Sequence, residues 1–237
     1  MGREGGPSAV RIAEIYKSIQ GEGLLTGVES VFLRTSGCNL RCWFCDTPYA
    51  SWQPEGEDLA VAEIVQRVAA YGCRHVVLTG GEPMLLAELV PLCDELQRLG
   101  HHLTIETAGT LYLSLACNLM SISPKRANST PAVDVAGGWS QRHERSRHVP
   151  AVVQRLTSDY PYQIKFVIDT PGDCADVEEY LREFSAIDRD RVLLMPQGTS
   201  LPQLQAIGAW LEPYCAQHGL QFCPRKHIEW FGLTRGT

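Results

Sequence analysis

Cys38, Cys42 and Cys45 fall within eight residues, in the stretch Ser36-Gly37-Cys38-Asn39-Leu40-Arg41-Cys42-Trp43-Phe44-Cys45-Asp46-Thr47. The spacing C-x3-C-x2-C constrains the fold strongly, because the flanking elements must present three thiols on one short loop. A closed zinc site takes four protein ligands, commonly as two separated pairs, and only one dense group is present. Cys42-Trp43-Phe44-Cys45 alone reads as a redox C-x-x-C, but that leaves Cys38 without a role. Thiols that serve only as small apolar side chains rarely crowd into one loop flanked by Gly37 and Asn39. Three thiolates suit a cubane [4Fe-4S] cluster that keeps one iron open for chemistry.

The other six cysteines, Cys73, Cys93, Cys117, Cys174, Cys215 and Cys223, are scattered singly and read as small core side chains. The total of nine is odd, and Met1-Gly2-Arg3-Glu4-Gly5-Gly6-Pro7 has no apolar run of the kind a signal peptide needs. No stretch approaches the roughly 18–20 apolar residues of a membrane span. A reducing, cytoplasmic location and no membrane partner are therefore expected. The net charge of −6 argues against general affinity for nucleic acid. At 237 residues, 44% of them hydrophobic, the chain is long enough for one sizeable core.

Short β-branched runs alternate with helical periods. Val31–Thr35 reads as a strand leading into the cysteine loop. Leu59–Gly72 reads as a helix, and His75–Thr79 as a strand ending at Gly80-Gly81-Glu82-Pro83. The next helix carries Leu85, Leu89, Leu92, Leu96 and Leu99 and stops at Gly100. Strands are expected at His102–Glu106 and Asn118–Ile122, the latter leading to Ser123-Pro124-Lys125. Residues 126–148 read as a loop insertion whose basic stretch, Gln141–His148, is a solvated helix start or loop. A helix through Val152–Leu156 follows, then strand Tyr162–Ile168. Val177, Tyr180, Leu181 and Phe184 mark another helix, and Arg191–Met195 a strand ending at Pro196-Gln197-Gly198. A helix from Pro202 carries Leu204, Ile207, Leu211 and Cys215, and Pro213 should kink or end it. Strand Leu220–Cys223 precedes a tail over about 224–237. The expected fold is α/β: a single domain over 1–237, forming a partial, open (β/α)6-type TIM-like barrel with the cluster loop after the first core strand. Its functional residues fall just after strand ends.

The cysteine loop, followed one βα unit later by Gly80-Gly81-Glu82-Pro83, resembles the radical S-adenosylmethionine superfamily. Alone, the second motif is also a plain strand-to-helix turn with Pro83 at the first helical position. Ile19-Gln20-Gly21-Glu22-Gly23, Arg34, Asp46-Thr47, Glu106-Thr107-Ala108-Gly109, Ser123-Pro124-Lys125, Met195-Pro196-Gln197-Gly198 and the terminal Arg235-Gly236-Thr237 resemble, within that superfamily, the 7-carboxy-7-deazaguanine synthases. The resemblance implies a lyase of queuosine and 7-deazapurine biosynthesis. It would convert 6-carboxy-5,6,7,8-tetrahydropterin to 7-carboxy-7-deazaguanine with loss of ammonia, using a [4Fe-4S] cluster, S-adenosylmethionine and Mg2+. It also implies a homodimer and a one-electron donor such as flavodoxin or ferredoxin.

The resemblance further implies roles. Cys38, Cys42 and Cys45 would hold the cluster. Phe44, Cys45, Asp46, Gly80, Gly81, Glu82, Ser123, Pro124, Lys125 and Gln197 would contact S-adenosylmethionine. Gly80 and Gly81 would let backbone approach its methionyl end, and Glu82 would accept from its ammonium group. Ile19, Gln20, Gly21, Glu22, Arg34, Thr79, Glu106, His227 and Thr237 would contact the pterin. Thr47 would bind Mg2+ through its hydroxyl. On the residues alone, Thr47 is an ordinary loop threonine before Pro48. Arg34 interrupts an apolar strand and needs a partner, either a substrate carboxylate or an internal salt bridge. Lys125 is one of four lysines against 17 arginines, which favours a specific role. Lys165 is a further candidate, or a plain strand-face charge. A glycyl-radical enzyme activase of the same superfamily, or a non-catalytic iron–sulfur or zinc module, are the alternatives; the first predicts a large protein partner, the second a fourth ligand.

Overall fold

Ala9–Ile19 forms β1, a strand whose alternation is broken by a bulge between Ile12 and Glu14. The computed structural model describes residues 9–237, so Met1–Pro7, read above for a leader, lies outside the described residues. The elements that follow are β2 (Glu29–Thr35), α1 (Pro48–Ser51), β3 (Glu57–Ala60), α2 (Val61–Ala69), β4 (His75–Gly80), α3 (Leu89–Arg98), β5 (His102–Thr107) and β6 (Leu119–Ile122). Then come α4 (Val133–Ala136), α5 (Gly138–Ser146), α6 (Pro150–Asp159), β7 (Tyr162–Ile168), α7 (Pro171–Glu183), β8 (Val192–Pro196), α8 (Leu201–His218), β9 (Gln221–Phe222) and α9 (Lys226–Phe231).

The strands form one sheet in the order β3-β1-β2-β4-β5-β6-β7-β8-β9. From β2 to β8 six parallel strands run in sequence order, which is the expected open (β/α)6 arrangement. β9 extends the parallel run, while β1 is antiparallel to both β2 and β3. The ends do not meet, so the barrel stays open. The period-2 alternation of side chains divides the sheet into two faces. Leu33, Leu78, Ile105, Ile164, Phe166 and Leu194 pack with helix residues such as Ile64, Leu92, Leu156, Val177 and Leu211 in one continuous core. The opposite face carries Arg34, Thr79, Glu106, Lys165 and Met195 into a cavity.

Several expectations need correction. The helix expected at Leu59–Gly72 is shorter, because Leu59 and Ala60 belong to β3. Leu85 and Leu99 are exposed and lie outside α3; its apolar stripe is Leu89, Leu92, Cys93 and Leu96. α8 runs through Pro213 without stopping. Pro213 and Ala209 both face solvent, so the carbonyl deprived of its donor is on the wet side of the helix. The 126–148 insertion is not a loop but contains α4 and α5.

That insertion is stitched to the cysteine loop. His143, fully buried on α5, accepts from the Arg41 backbone N–H at its Nδ1 (3.0 Å). Its proton therefore sits on Nε2, which donates to Ser129 Oγ at 2.9 Å, and Ser129 in turn donates to the Arg126 carbonyl at 2.7 Å. Burial and then the Arg147 charge push the imidazole pKa down to about 4, which keeps this acceptor neutral. The Trp43 indole closes the seam by donating to the Asn128 carbonyl at 2.6 Å.

Candidate active site

The inner face of the sheet and the loops at its carboxyl end enclose a cavity of about 330 Å³. The expected residues Cys38, Cys42, Phe44, Cys45, Asp46, Thr47, Gly80, Gly81, Ser123, Lys125 and Gln197 line it. So do Ile19, Gln20, Gly21, Glu22, Arg34, Thr79, Glu106, His227 and Thr237. Residues more than 200 positions apart meet here because parallel strands bring every βα junction to one end of the sheet.

Glu82 and Pro124 are buried and do not line the cavity. Both Glu82 oxygens are engaged inside the protein. One accepts from Met84 N (3.0 Å) and Thr107 Oγ1 (2.8 Å), and the other from Ala108 N (2.8 Å). This carboxylate ties the Gly-Gly turn to the end of β5 and caps a single 3-10 turn at Pro83–Leu85. Burial raises its pKa despite those donors. Gly81 also serves a purpose other than the expected one. A Cβ there would collide with the Gly37 and Ala50 carbonyls, so the missing side chain lets this turn seat against the cysteine loop. The Glu82 N–H then donates to the Gly37 carbonyl at 2.9 Å.

Three free thiols of one loop line this cavity. Burial pushes the Cys38 pKa up to about 11 and that of Cys42 to about 12. Neither becomes a thiolate near neutral pH unless a cation offsets that cost, as an iron cluster does. Arg41 is consistent with such a guest. Its side chain is buried, donates to the Cys38 and Leu40 carbonyls at 2.8 Å and stacks on Trp139 at 3.9 Å. Among the described residues no carboxylate lies within salt-bridge distance of it. An anionic cluster–thiolate assembly supplies the counter-charge that this buried cation lacks. The residues present therefore fit a [4Fe-4S] cluster.

An ionic network also lines the cavity. Lys165 Nζ, on β7, donates to Glu106 Oε1 at 2.8 Å and Glu22 Oε2 at 3.0 Å. Thr79 Oγ1 donates to the second Glu106 oxygen at 3.0 Å. Arg225 donates to Glu22 Oε1 (3.1 Å), to Asp46 Oδ2 (2.5 Å) and to the Gly198 carbonyl (2.8 Å). Burial alone would raise the Glu22 pKa, but the charges of Lys165 and Arg225 hold it far below the ordinary carboxylate range. Burial likewise opposes charge on Lys165, yet Glu106 and Glu22 hold its proton more tightly than in water. His227 Nδ1 stands 3.6 Å from Glu22, and burial lowers its pKa, keeping it neutral near pH 7. The Lys165 ion pairs give that candidate its place. Arg225 was not anticipated: it sits after the last strand, with only Pro224 and Lys226 beside it as a signal.

Arg34 finds an internal partner rather than standing free. Its Nε donates to Glu14 Oε1 at 2.7 Å, and its Nη2 donates to Tyr16 OH at 3.0 Å. Tyr49 OH donates to the same Glu14 oxygen at 2.8 Å. Arg235, two residues before Thr237, donates to Glu14 Oε2 (3.1 Å) and Glu55 Oε2 (3.0 Å) and stacks on Tyr49 at 4.0 Å. The tail is thereby pinned to the cavity wall. Glu14 and Tyr16 escaped the sequence reading because β1 did.

The model of the Radical SAM superfamily matches residues 32–128, from β2 to just past Lys125. A protein of Rhodopirellula baltica named 7-carboxy-7-deazaguanine synthase is 48% identical over 231 residues, 97% of this chain and 90% of that one. A Halobacterium salinarum protein of the same name is 42% identical, over 93% of this chain and 90% of the other. The chain belongs to the 7-carboxy-7-deazaguanine synthase family. The crystal structure of QueE from Escherichia coli matches with a TM-score of 0.68 at 22% identity, over 91% of this chain and 93% of that one, and supports the fold alone. As a radical S-adenosylmethionine protein, this member of the synthase family takes a [4Fe-4S] cluster and S-adenosylmethionine, and with them a one-electron donor and a small-molecule substrate.

Proposed function

We propose that this chain is a 7-carboxy-7-deazaguanine synthase that contracts 6-carboxy-5,6,7,8-tetrahydropterin to 7-carboxy-7-deazaguanine with loss of ammonia. The observation that carries the reading is one cavity lined by two unlike groups, three free cysteines and the Glu22–Lys165–Glu106 network. When bound, the cluster supplies the electron that cleaves S-adenosylmethionine to the radical that abstracts hydrogen from C6 of the pterin.

The residues of the chain bind, orient and shield. Ser123, Lys125, Gln197, Phe44 and Asp46 lie around the cluster loop and are assigned to S-adenosylmethionine. Glu22 is kept ionised by Lys165 and Arg225, and Glu22 and Glu106 are acceptors for the N–H-rich edge of the pterin. Gln20, Gly21, Thr79 and His227 border that network, and Arg34 with Glu14 closes one side. Thr47 occupies the N-cap position of α1, yet its hydroxyl makes no capping bond. It lies 3.8 Å from Cys45 Sγ, beside the cluster loop, and is assigned to Mg2+, which would hold the pterin carboxylate. The tail, pinned by Arg235, restricts water at the site. A pinned tail also favours a small substrate over the large protein partner of a glycyl-radical activase.

A homodimer and a cytoplasmic setting are part of the proposal. No helix among the described residues is long and apolar enough to cross a membrane. The test is anaerobic reconstitution of the cluster, followed by incubation with 6-carboxytetrahydropterin, S-adenosylmethionine, dithionite and Mg2+. Mass spectrometry is expected to find 7-carboxy-7-deazaguanine. Cleavage of S-adenosylmethionine without that product would keep the superfamily chemistry and remove the synthase assignment.

A further inference from the structure

We propose that Ser51 raises the reduction potential of the iron–sulfur cluster through a hydrogen bond from its hydroxyl to the Cys45 sulfur. The inference rests on the cluster reading above and gives a tuning role to a residue outside the cysteine motif. Ser51 Oγ stands 3.1 Å from Cys45 Sγ. The residue is only 3% exposed, yet it lines the same cavity as the three cysteines. As a thiolate, Cys45 has no proton to give, so the hydroxyl is the donor in the loaded protein. The other acceptor within its reach is the Thr47 carbonyl at 3.4 Å, which is neutral and already accepts from Ala50 N at 2.9 Å. The anionic sulfur is the stronger acceptor of the two.

The backbone around Ser51 fixes this contact. Ser51 is the last residue of α1. The Gly37 N–H donates to the Ala50 carbonyl at 2.8 Å, and Trp52 Nε1 donates to the Cys42 carbonyl at 3.1 Å. Both neighbours of Ser51 thus tie α1 to the cysteine loop and hold the hydroxyl against the sulfur. Other contacts to these sulfurs are longer: Leu40 N reaches Cys38 Sγ at 3.4 Å, and Thr47 Oγ1 stands 3.8 Å from Cys45 Sγ. An electron added to the cluster increases the negative charge on its sulfurs. A donated hydrogen bond then stabilises the reduced form more than the oxidised one, and does so more strongly in a buried site than in water. The one-electron donor is oxidised and the cluster is reduced by one electron. The Ser51 proton stays on oxygen, and no covalent bond forms or breaks.

The test is an anaerobic redox titration of the reconstituted protein, without pterin or S-adenosylmethionine, followed by electron paramagnetic resonance of the reduced cluster. Iron per chain is measured on each sample. In Ser51→Ala the ratio of reduced to oxidised cluster at a fixed poise is expected to fall by about threefold to tenfold, tenfold being about 59 mV for a one-electron couple. Ser51→Thr and Ser51→Val share one shape and differ in the hydroxyl, so this pair decides the case if Ser51→Ala loads iron poorly. Ser51→Thr is expected to hold the higher potential by a similar margin. Ratios that agree within about twofold between Ser51→Ala and wild type, or between Ser51→Thr and Ser51→Val, would overturn the proposal. A wild-type protein that loads iron and cleaves S-adenosylmethionine but makes no 7-carboxy-7-deazaguanine would strike the synthase reading instead, and the potentials would still decide the role of Ser51.

Discussion

The ammonium of Lys165 lies 2.8 Å from the carboxylate of Glu106, at the centre of a buried network that reaches Glu22 on its other side. Replacing Lys165 with Met removes the cation and leaves two carboxylates competing for Arg225 and Thr79. Breaking one member of such a buried set costs about 3–5 kcal/mol. Denaturant unfolding at pH 7 should register that loss. The wild-type contribution of Glu22 is present above its unfolded pKa of 4.5 and is lost as the pH falls below it, because its folded pKa is depressed. The gap between wild type and Lys165→Met should therefore narrow in acid. A gap independent of pH would mean that Lys165 acts through packing alone.

His143 gives a second pH dependence. Its folded pKa, about 4, is below the unfolded value near 6.5. Between those values the unfolded chain binds a proton that the folded chain excludes. Stability is then fully present above about pH 6.5 and declines as the pH falls toward 4, by up to about 1.4 kcal/mol per pH unit. Thermal unfolding of wild type against His143→Gln across this window should show a shallower slope in the variant. Equal slopes would remove His143 as the titrating group.

Gly81→Ala drives a methyl group into the Gly37 and Ala50 carbonyls, with backbone on both sides and nothing soft to yield. Iron per chain after reconstitution should fall by half or more, because the cysteine loop can no longer seat against the Gly-Gly turn. Full iron loading would show that the two loops are not coupled.

Thr47→Ala removes a hydroxyl that makes no capping bond, so stability should change by less than about 0.5 kcal/mol. The stimulation of turnover by Mg2+ should weaken at least about tenfold. An unchanged metal response would take Thr47 out of the metal site.

The cluster loop and the parallel strands were legible because each rests on local pattern. Strands buried on both faces read as apolar runs, and three cysteines in one loop have few uses. β1 was not legible: its cavity-facing Glu14 and Tyr16 and its bulge break the alternation that identifies a strand. Arg225 was hidden for a different reason, since its meaning depends on Glu22, 203 residues earlier. Glu82 shows the limit of a motif. The acidic residue was conspicuous, but whether it faces a ligand or the Ala108 and Met84 amides depends on tertiary packing.

The central claim is that one cavity brings the cluster, S-adenosylmethionine and the pterin together. Turnover of C6-deuterated 6-carboxytetrahydropterin, followed by mass spectrometry, tests it most directly. The account predicts 7-carboxy-7-deazaguanine in wild type, deuterium appearing in S-adenosylmethionine recovered from the reaction, and neither in Cys42→Ala. Product formation by Cys42→Ala, or deuterium that never reaches S-adenosylmethionine, would contradict it.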